Sequence, residues 1–182
     1  MFKYLIQDLK WALSYLPYGV LASGLLFLFF LIRNRIRKSR GKETSPLMAS
    51  VCFWTYLLII FCLTLLSREQ GSTNKIDLVI GSTLKINMRN NAYVVENILL
   101  FIPYGFCVAW RYGGRKKWLQ HILCGLMMTL TVEYTQLFTG RGVFQIDDIL
   151  TNVVGCVIGL IVFAIAVRHA EKQNMRKKCV ST

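Results

Sequence analysis

The sequence predicts an all-α, polytopic integral membrane protein: a helical bundle of about five transmembrane helices, with the N-terminus outside and the C-terminus inside. The chain is 54% hydrophobic and only 17% charged, whereas soluble domains carry about 25% charged residues. Its apolar residues are gathered in runs of about 20, the length that crosses a bilayer as a helix. Its basic residues flank these runs, as loop charges do in membrane proteins.

Five runs are candidate spans: Tyr15–Ile32, Leu47–Leu66, Tyr93–Trp110, Trp118–Phe138 and Asp148–Val167. Most of the positive charge near the first run follows it, whereas a cleaved signal peptide carries its charge in front, so we expect a retained span. Segment 15–66 is expected to form two plain spans joined by a basic cytoplasmic loop, 33–46. Segment 93–167 is expected to form the three spans that carry polar residues.

The distribution of basic residues gives the orientation. Of the 22 lysines and arginines, six lie in segment 33–46, four in segment 111–117 and five in the tail, 168–182. The positive-inside rule places these three segments in the cytoplasm. A net charge of +13 is also typical of nucleic-acid-binding proteins. Because the charges flank apolar runs, we expect membrane lipids as partners and no nucleic acid.

The remaining segments are connections. Segment 1–14 reads either as an amphipathic, interfacial segment or as an extension of the first span, and both remain open. Segment 67–92 is the extracytoplasmic connection, with turns at Gly71 and Gly81. A loop of this length usually has structure of its own, so we expect a surface helix or a small hairpin there.

Polar residues at the ends of the last three spans are the most informative feature, because ionisable groups at membrane depth are costly and usually serve a cavity, partner or ligand. In the predicted topology they all lie on the outer side, which predicts one outward-facing polar intramembrane site. The candidate binding or network residues are Glu96, Asn97, Glu133, Gln136, Arg141, Asp147, Asp148 and Asn152.

Several of these residues have a simpler interpretation. Glu133 shares a helix face with Gln136, and the alternative is a plain interfacial carboxylate. For Asp147 or Asp148 the alternative is a role as the cap of the fifth span only, since carboxylates suit a helix N-terminus. Arg141 is placed to pair with Glu133 or Asp148, or to bind an anionic ligand.

Proline and glycine predict how the helices pack. Pro103 and Gly105 predict a kink in the third span. Gly155 and Gly159 form a GxxxG pattern that permits close helix contact, either within the chain or in a dimer, so the oligomeric state remains open. The six cysteines form no CxxC pair and the two histidines lie away from the carboxylates, so we expect no disulfide, metal site or cofactor.

Three ordered blocks of sequence resemble the VanZ-like family of bacterial membrane proteins: Asn97–Gly105, Glu133–Gln136 and Asp147–Gly155. That family shows N-x-x-L/I-F-x-P-x-G, E-x-x-Q and D-D/D-x-x-x-N-x-x-G blocks in this order. The resemblance implies a multi-pass protein of the bacterial cytoplasmic membrane, linked to low-level resistance to teicoplanin. One departure is Gln145, where members often carry an acidic residue.

Three functions follow as hypotheses. The first is a non-enzymatic protein that contributes to glycopeptide resistance or cell-envelope homeostasis by binding an amphiphilic ligand, such as a lipid-linked cell-wall precursor or a lipoglycopeptide. The second is an enzyme acting on a lipid-linked envelope substrate, with Glu133 and Asp148 as catalytic candidates. It ranks lower because no motif assigns a bond to break. The third is a small transporter or flippase, disfavoured by the apolar inner halves of the spans.

Overall fold

The computed structural model describes residues 16–66, 76–83, 88–113 and 117–180, together with Lys3, Ile6, Lys10, Leu13 and Ser14. The described chain is almost entirely helical, so the predicted all-α helical bundle is confirmed, while the predicted orientation stays a prediction. Most of segment 1–14 and the residues 67–75 and 84–87 lie outside the described part, and so do the predictions made for them.

The described residues form five long helices, with bounds as follows: α1, Leu16–Ser39; α2, Leu47–Phe61, continued by a π-helical turn, Cys62–Leu66; α3, Met88–Tyr112; α4, Trp118–Thr139; and α5, Ile146–Val180. In the described part, α1, α2, α3 and α5 are long and apolar enough to cross a membrane. Helix α4 has 22 residues, about 33 Å at 1.5 Å per residue. It carries Glu133, Gln136 and several threonines, which reduce its apolar character.

Two helices extend further than predicted on the basic side. Helix α1 continues through Arg33 and Arg37 to Ser39, into the segment expected to be a loop. Helix α5 continues past Val167 to Val180, through most of the expected tail. Lysine, arginine, glutamate and glutamine are good helix formers, and cations near a helix C-terminus are favoured by its dipole. The charge pattern therefore marks where water begins, not where a helix ends.

Helices α3 and α5 form the central pair, because glycines bring their backbones into contact. A Cβ atom added at Gly155 would lie 2.3 Å from the carbonyl oxygen of Ile98, and one at Gly159 would lie 2.0 Å from that of Ile102. Since the contact advances in the same direction along both helices, α3 and α5 run parallel. On α3, Gly105 likewise lies directly against the backbone of Cys156 on α5.

The other helices pack around this pair. Helix α4 packs against α3 and α5, α2 packs against α3, and α1 packs mainly against α2. The core between α2, α3, α4 and α5 consists of apolar residues with almost no exposed surface, among them Ile60, Phe101, Val132, Cys156 and Leu160. Pro103 lies within α3, and the hydroxyl of Tyr56 on α2 donates to the carbonyl of Leu100, three residues earlier, at 2.6 Å. A neighbouring helix thus supports the backbone next to the proline.

A short parallel strand pair lies at the end of the bundle where α5 begins. Strand β1, Ile76–Asp77, pairs with β2, Phe144–Gln145, so that Ile76 lies opposite Phe144. Within the 67–92 connection, residues 76–83 therefore form neither a surface helix nor a hairpin of their own, and residues 88–92 already belong to α3. Strand β1 pairs instead with the distant α4–α5 connection, where Phe144 presents a buried apolar side chain.

The glycine contact predicts that Gly159→Ala destabilises the protein. The new methyl group meets backbone atoms of α3, which have little freedom to move, and overpacking of this kind costs about 1–3 kcal/mol. The midpoint of thermal unfolding in detergent should therefore fall. Gly24→Ala is the matched control, because no atom lies within 4 Å of a Cβ at Gly24 on α1. Equal midpoints for the two variants would contradict the packing described here.

Candidate functional site: a buried polar network

Polar residues from α4, α5 and their connections meet at the end of the bundle where the strand pair lies. Glu133, Gln136, Asp147, Asp148 and Asn152 are all buried. Glu133 is only 2% exposed, so it does not lie at the water interface as a plain surface carboxylate would. The structure thus brings together the polar residues that the sequence places at the end of the fourth predicted span and at the start of the fifth.

The carboxylate of Glu133 holds the α4–α5 connection. Its Oε2 atom accepts a hydrogen bond of 3.0 Å from the backbone amide of Gln145 in β2. The turn before it begins at Gly140, which has a left-handed backbone (φ 63°) of the kind that ends many helices. The amide of Arg141 then donates to the carbonyl of Gln136 at 2.9 Å. These bonds fix the path of the chain from α4 into α5.

The carboxylate of Asp147 holds segment 76–83. Its Oδ1 atom accepts from the amide of Gly81 at 2.8 Å, and its Oδ2 atom accepts from the amide of Thr83 at 2.9 Å. Both bonds join residues more than 60 positions apart in the chain. The simpler alternative, in which Asp147 serves only as a cap of α5, does not account for these bonds, because they go to another segment of the chain.

Gln136 and Arg141 connect the network to the end of α2. The Nε2 atom of Gln136 donates to the carbonyl of Thr64 at 2.9 Å, and Nη1 of Arg141 donates to the carbonyl of Leu65 at 2.8 Å. Both carbonyls belong to the π-helical turn that ends α2, and the last carbonyls of a helix have no partner within the helix itself. Sequence reasoning missed Thr64 and Leu65 because a backbone carbonyl has no signature in the sequence.

Asn152 forms the deepest bond of the network. Its Nδ2 atom donates to the hydroxyl of Thr129 on α4 at 2.8 Å. Its Oδ1 atom is buried and has no hydrogen-bond partner among the described residues, and the same holds for Nδ2 of Asn97 on α3. Because Ile98 contacts Gly155, Asn97 and Asn152 lie at nearly the same depth. Helix α3 thus carries one buried donor, and α5 one buried acceptor, that no described residue pairs with.

The other predicted residues have separate roles or places. Glu96 is half-buried on the first half of α3, next to Asn97. Asp148 is buried in the first turn of α5, where its charge suits the helix dipole. Gly105, Gly155 and Gly159 contact helix backbone and Pro103 lies within α3, so these four residues belong to the helix packing and not to the network. His121 lies on the opposite half of α4, with Nε2 2.9 Å from the carbonyl of Gly113.

An apolar groove lies beside this polar network. It occupies about 550 Å³ between the first half of α1 and the second half of α2, within the size range of ligand sites. Tyr18, Val20, Leu58 and Leu63 are among its lining residues. Leu63 directly precedes Thr64 in the chain, so the groove and the polar network meet at the end of α2.

The fold and the site together define a polytopic helical membrane protein with a polar network buried at one end of its bundle. The chain belongs to the VanZ/LLP1 family, whose model matches residues 53–167. The resemblance noted from the sequence blocks is therefore confirmed.

Among curated proteins, the chain is similar to Protein VanZ of Enterococcus faecium, with 26% identity over 82 residues. The aligned part is 45% of this chain and 50% of that protein, so the chain spans about half the length of the curated relative it matches. No solved structure matches the chain.

The geometry at Asp147 predicts that Asp147→Ala loosens segment 76–83. Hydrogen bonds to charged groups contribute about 1.5–3 kcal/mol each, so losing two of them should speed amide exchange at Gly81 and Thr83 by roughly tenfold or more. Hydrogen–deuterium exchange read by mass spectrometry measures this directly. The exposed residue Glu43 provides the control, Glu43→Gln, which should leave the segment unchanged. Unaltered exchange in Asp147→Ala would show that the carboxylate does not hold the segment.

Proposed function

We propose that this protein acts in the bacterial cytoplasmic membrane and lowers sensitivity to glycopeptide antibiotics of the teicoplanin type, by binding an amphiphilic or lipid-linked ligand at its polar end. The observation that carries the proposal is that two buried polar atoms, Nδ2 of Asn97 on α3 and Oδ1 of Asn152 on α5, have no hydrogen-bond partner among the described residues. A buried polar atom without a partner costs free energy. A ligand that accepts from Asn97 and donates to Asn152 removes this cost.

The form of the site supports an amphiphile. A polar group of the ligand meets the asparagines, while an alkyl chain of the same ligand has the apolar groove between α1 and α2 available nearby. Ligand sites are commonly apolar, with a few polar groups that fix orientation. In this proposal the family relationship provides the link to glycopeptide resistance, and the ligand class follows from the chemistry of the groove and the network.

The carboxylates have a positioning role in this proposal. Glu133 and Asp147 accept backbone hydrogen bonds from the connections that close the polar end. By holding these connections in place, they keep Asn97 and Asn152 at a fixed depth in the bundle. An enzymatic role gains no specific support, because a carboxylate engaged by the protein backbone is poorly placed to transfer protons to a substrate.

Drug susceptibility of the native host tests this proposal. Deletion of the gene should sensitise cells to teicoplanin selectively over vancomycin. Asn97→Leu should reproduce the deletion at normal membrane abundance, because it removes the unmatched donor while keeping a side chain of similar size. Ala22→Phe narrows the groove that Ala22 lines, so it should also sensitise the cells to teicoplanin as the deletion does.

Glu171→Gln in the exposed end of α5 is the control and should behave as wild type. If deletion leaves susceptibility to both drugs unchanged, the resistance role is excluded. If deletion sensitises the cells but Asn97→Leu does not, resistance remains and the asparagine site is excluded as its origin.

A further inference from the structure

The segment that closes the polar end carries an exposed apolar tip. Leu78, Val79 and Ile80 follow one another in a turn and are 61%, 66% and 72% exposed. Consecutive exposed apolar residues in a connection are unusual unless something covers them. The side chains on the helices that are equally exposed face lipid, but this tip is not helical and needs a separate explanation.

Most of the backbone amides from the tip to the end of the segment donate hydrogen bonds within the protein. The amides of Gly81 and Thr83 donate to Asp147, and the amide of Val79 donates to Oδ1 of Asp77 at 3.1 Å. The amide of Ser82 closes the turn onto the carbonyl of Val79 at 3.2 Å. Four of the five amides from residues 79–83 are therefore paired. Pairing of this kind is what hydrocarbon demands of any backbone that enters it.

The charges of the segment are turned away from the tip. Asp77 is half-buried, and its second oxygen accepts from the hydroxyl of Ser82 at 2.7 Å. Asp147 lies buried beneath the segment. Because both carboxylates are engaged with the segment itself, the tip presents only aliphatic side chains to its surroundings.

The tip is continuous with the membrane-facing surface of α4. Ile76 pairs with Phe144, and the Phe144 ring lies 5.3 Å from that of Tyr134. Tyr134 and, one turn later, Phe138 are 61% and 93% exposed. With α4 about as long as the hydrocarbon core is thick, its end lies at the bilayer interface, where aromatic side chains are enriched. The neighbouring tip is at the same level.

We propose that Leu78, Val79 and Ile80 insert into the adjacent leaflet and anchor segment 76–83 to the lipid. The occupant of this surface is the acyl-chain region of membrane phospholipids. Aliphatic side chains, backbone amides that are mostly paired and an aromatic border suit lipid better than a protein partner, which usually meets polar groups at the rim of its contact. The insertion is independent of the proposed resistance role.

Depth-dependent fluorescence quenching tests the insertion. The full chain, in a cysteine-free background, is labelled with the fluorophore NBD at Val79→Cys and reconstituted in phosphatidylethanolamine–phosphatidylglycerol vesicles. Leu28→Cys on the exposed face of α1 gives the lipid reference, and Lys42→Cys in the exposed α1–α2 connection gives the water reference. Doxyl groups on the lipid chains should quench Val79 severalfold more than Lys42, and iodide should quench it severalfold less.

Photo-crosslinking keeps the test decisive if the cysteine-free chain does not fold. Here p-benzoylphenylalanine replaces Val79 in the chain with its natural cysteines, and mass spectrometry identifies the adduct. A lipid adduct at Val79, as at Leu28, supports insertion. Quenching at Val79 like that at Lys42, no lipid adduct when Leu28 gives one, or an adduct to another protein would overturn it.

Discussion

The bundle depends at its polar end on two buried carboxylates that accept backbone hydrogen bonds. An amide moved from water into an apolar environment costs several kcal/mol unless it is paired. Irregular backbone near membrane depth is therefore tolerated only where the protein itself supplies the partners. Glu133 supplies one for the amide of Gln145, and Asp147 supplies two for segment 76–83. Without these acceptors the connections would have to return to water, and the end of the bundle would open.

The carboxylates can act in this way because glycine allows the helices behind them to approach closely. The contact of Gly155 and Gly159 with the backbone of α3 brings α3 and α5 together below the polar end. That approach places Asn97 and Asn152 at matching depth, while α4 supplies Thr129 from the side. The two asparagine atoms that no described residue pairs with are thus enclosed by closely packed helices. A rigid frame is the condition under which an unmatched donor or acceptor selects a ligand instead of collapsing onto a neighbour.

Much of this arrangement follows from the sequence, and the rest is missed for physical reasons. Apolar runs and their flanking charges predict the helices, because desolvation is a property of composition. Spacing on a helix face places Glu133 and Gln136 together. The partner of Asp147 could not be foreseen, because Gly81 is joined to it through backbone atoms that every residue carries. The same holds for the parallel pairing of Ile76 with Phe144, since a two-residue strand leaves no periodic pattern to recognise.

Disulfide formation between Ile76→Cys and Phe144→Cys tests most directly whether segment 76–83 closes the polar end in the membrane. The two residues are paired across the strands, and neighbours in such a pair lie within the Cα separation of about 4.4–6.8 Å that a disulfide requires. The account predicts that mild oxidation of native membranes cross-links the double variant, that neither single variant gives this product, and that Asp147→Ala reduces its yield. If the double variant stays reduced while both single variants react with a maleimide, the segment does not lie over the network, and the account is wrong.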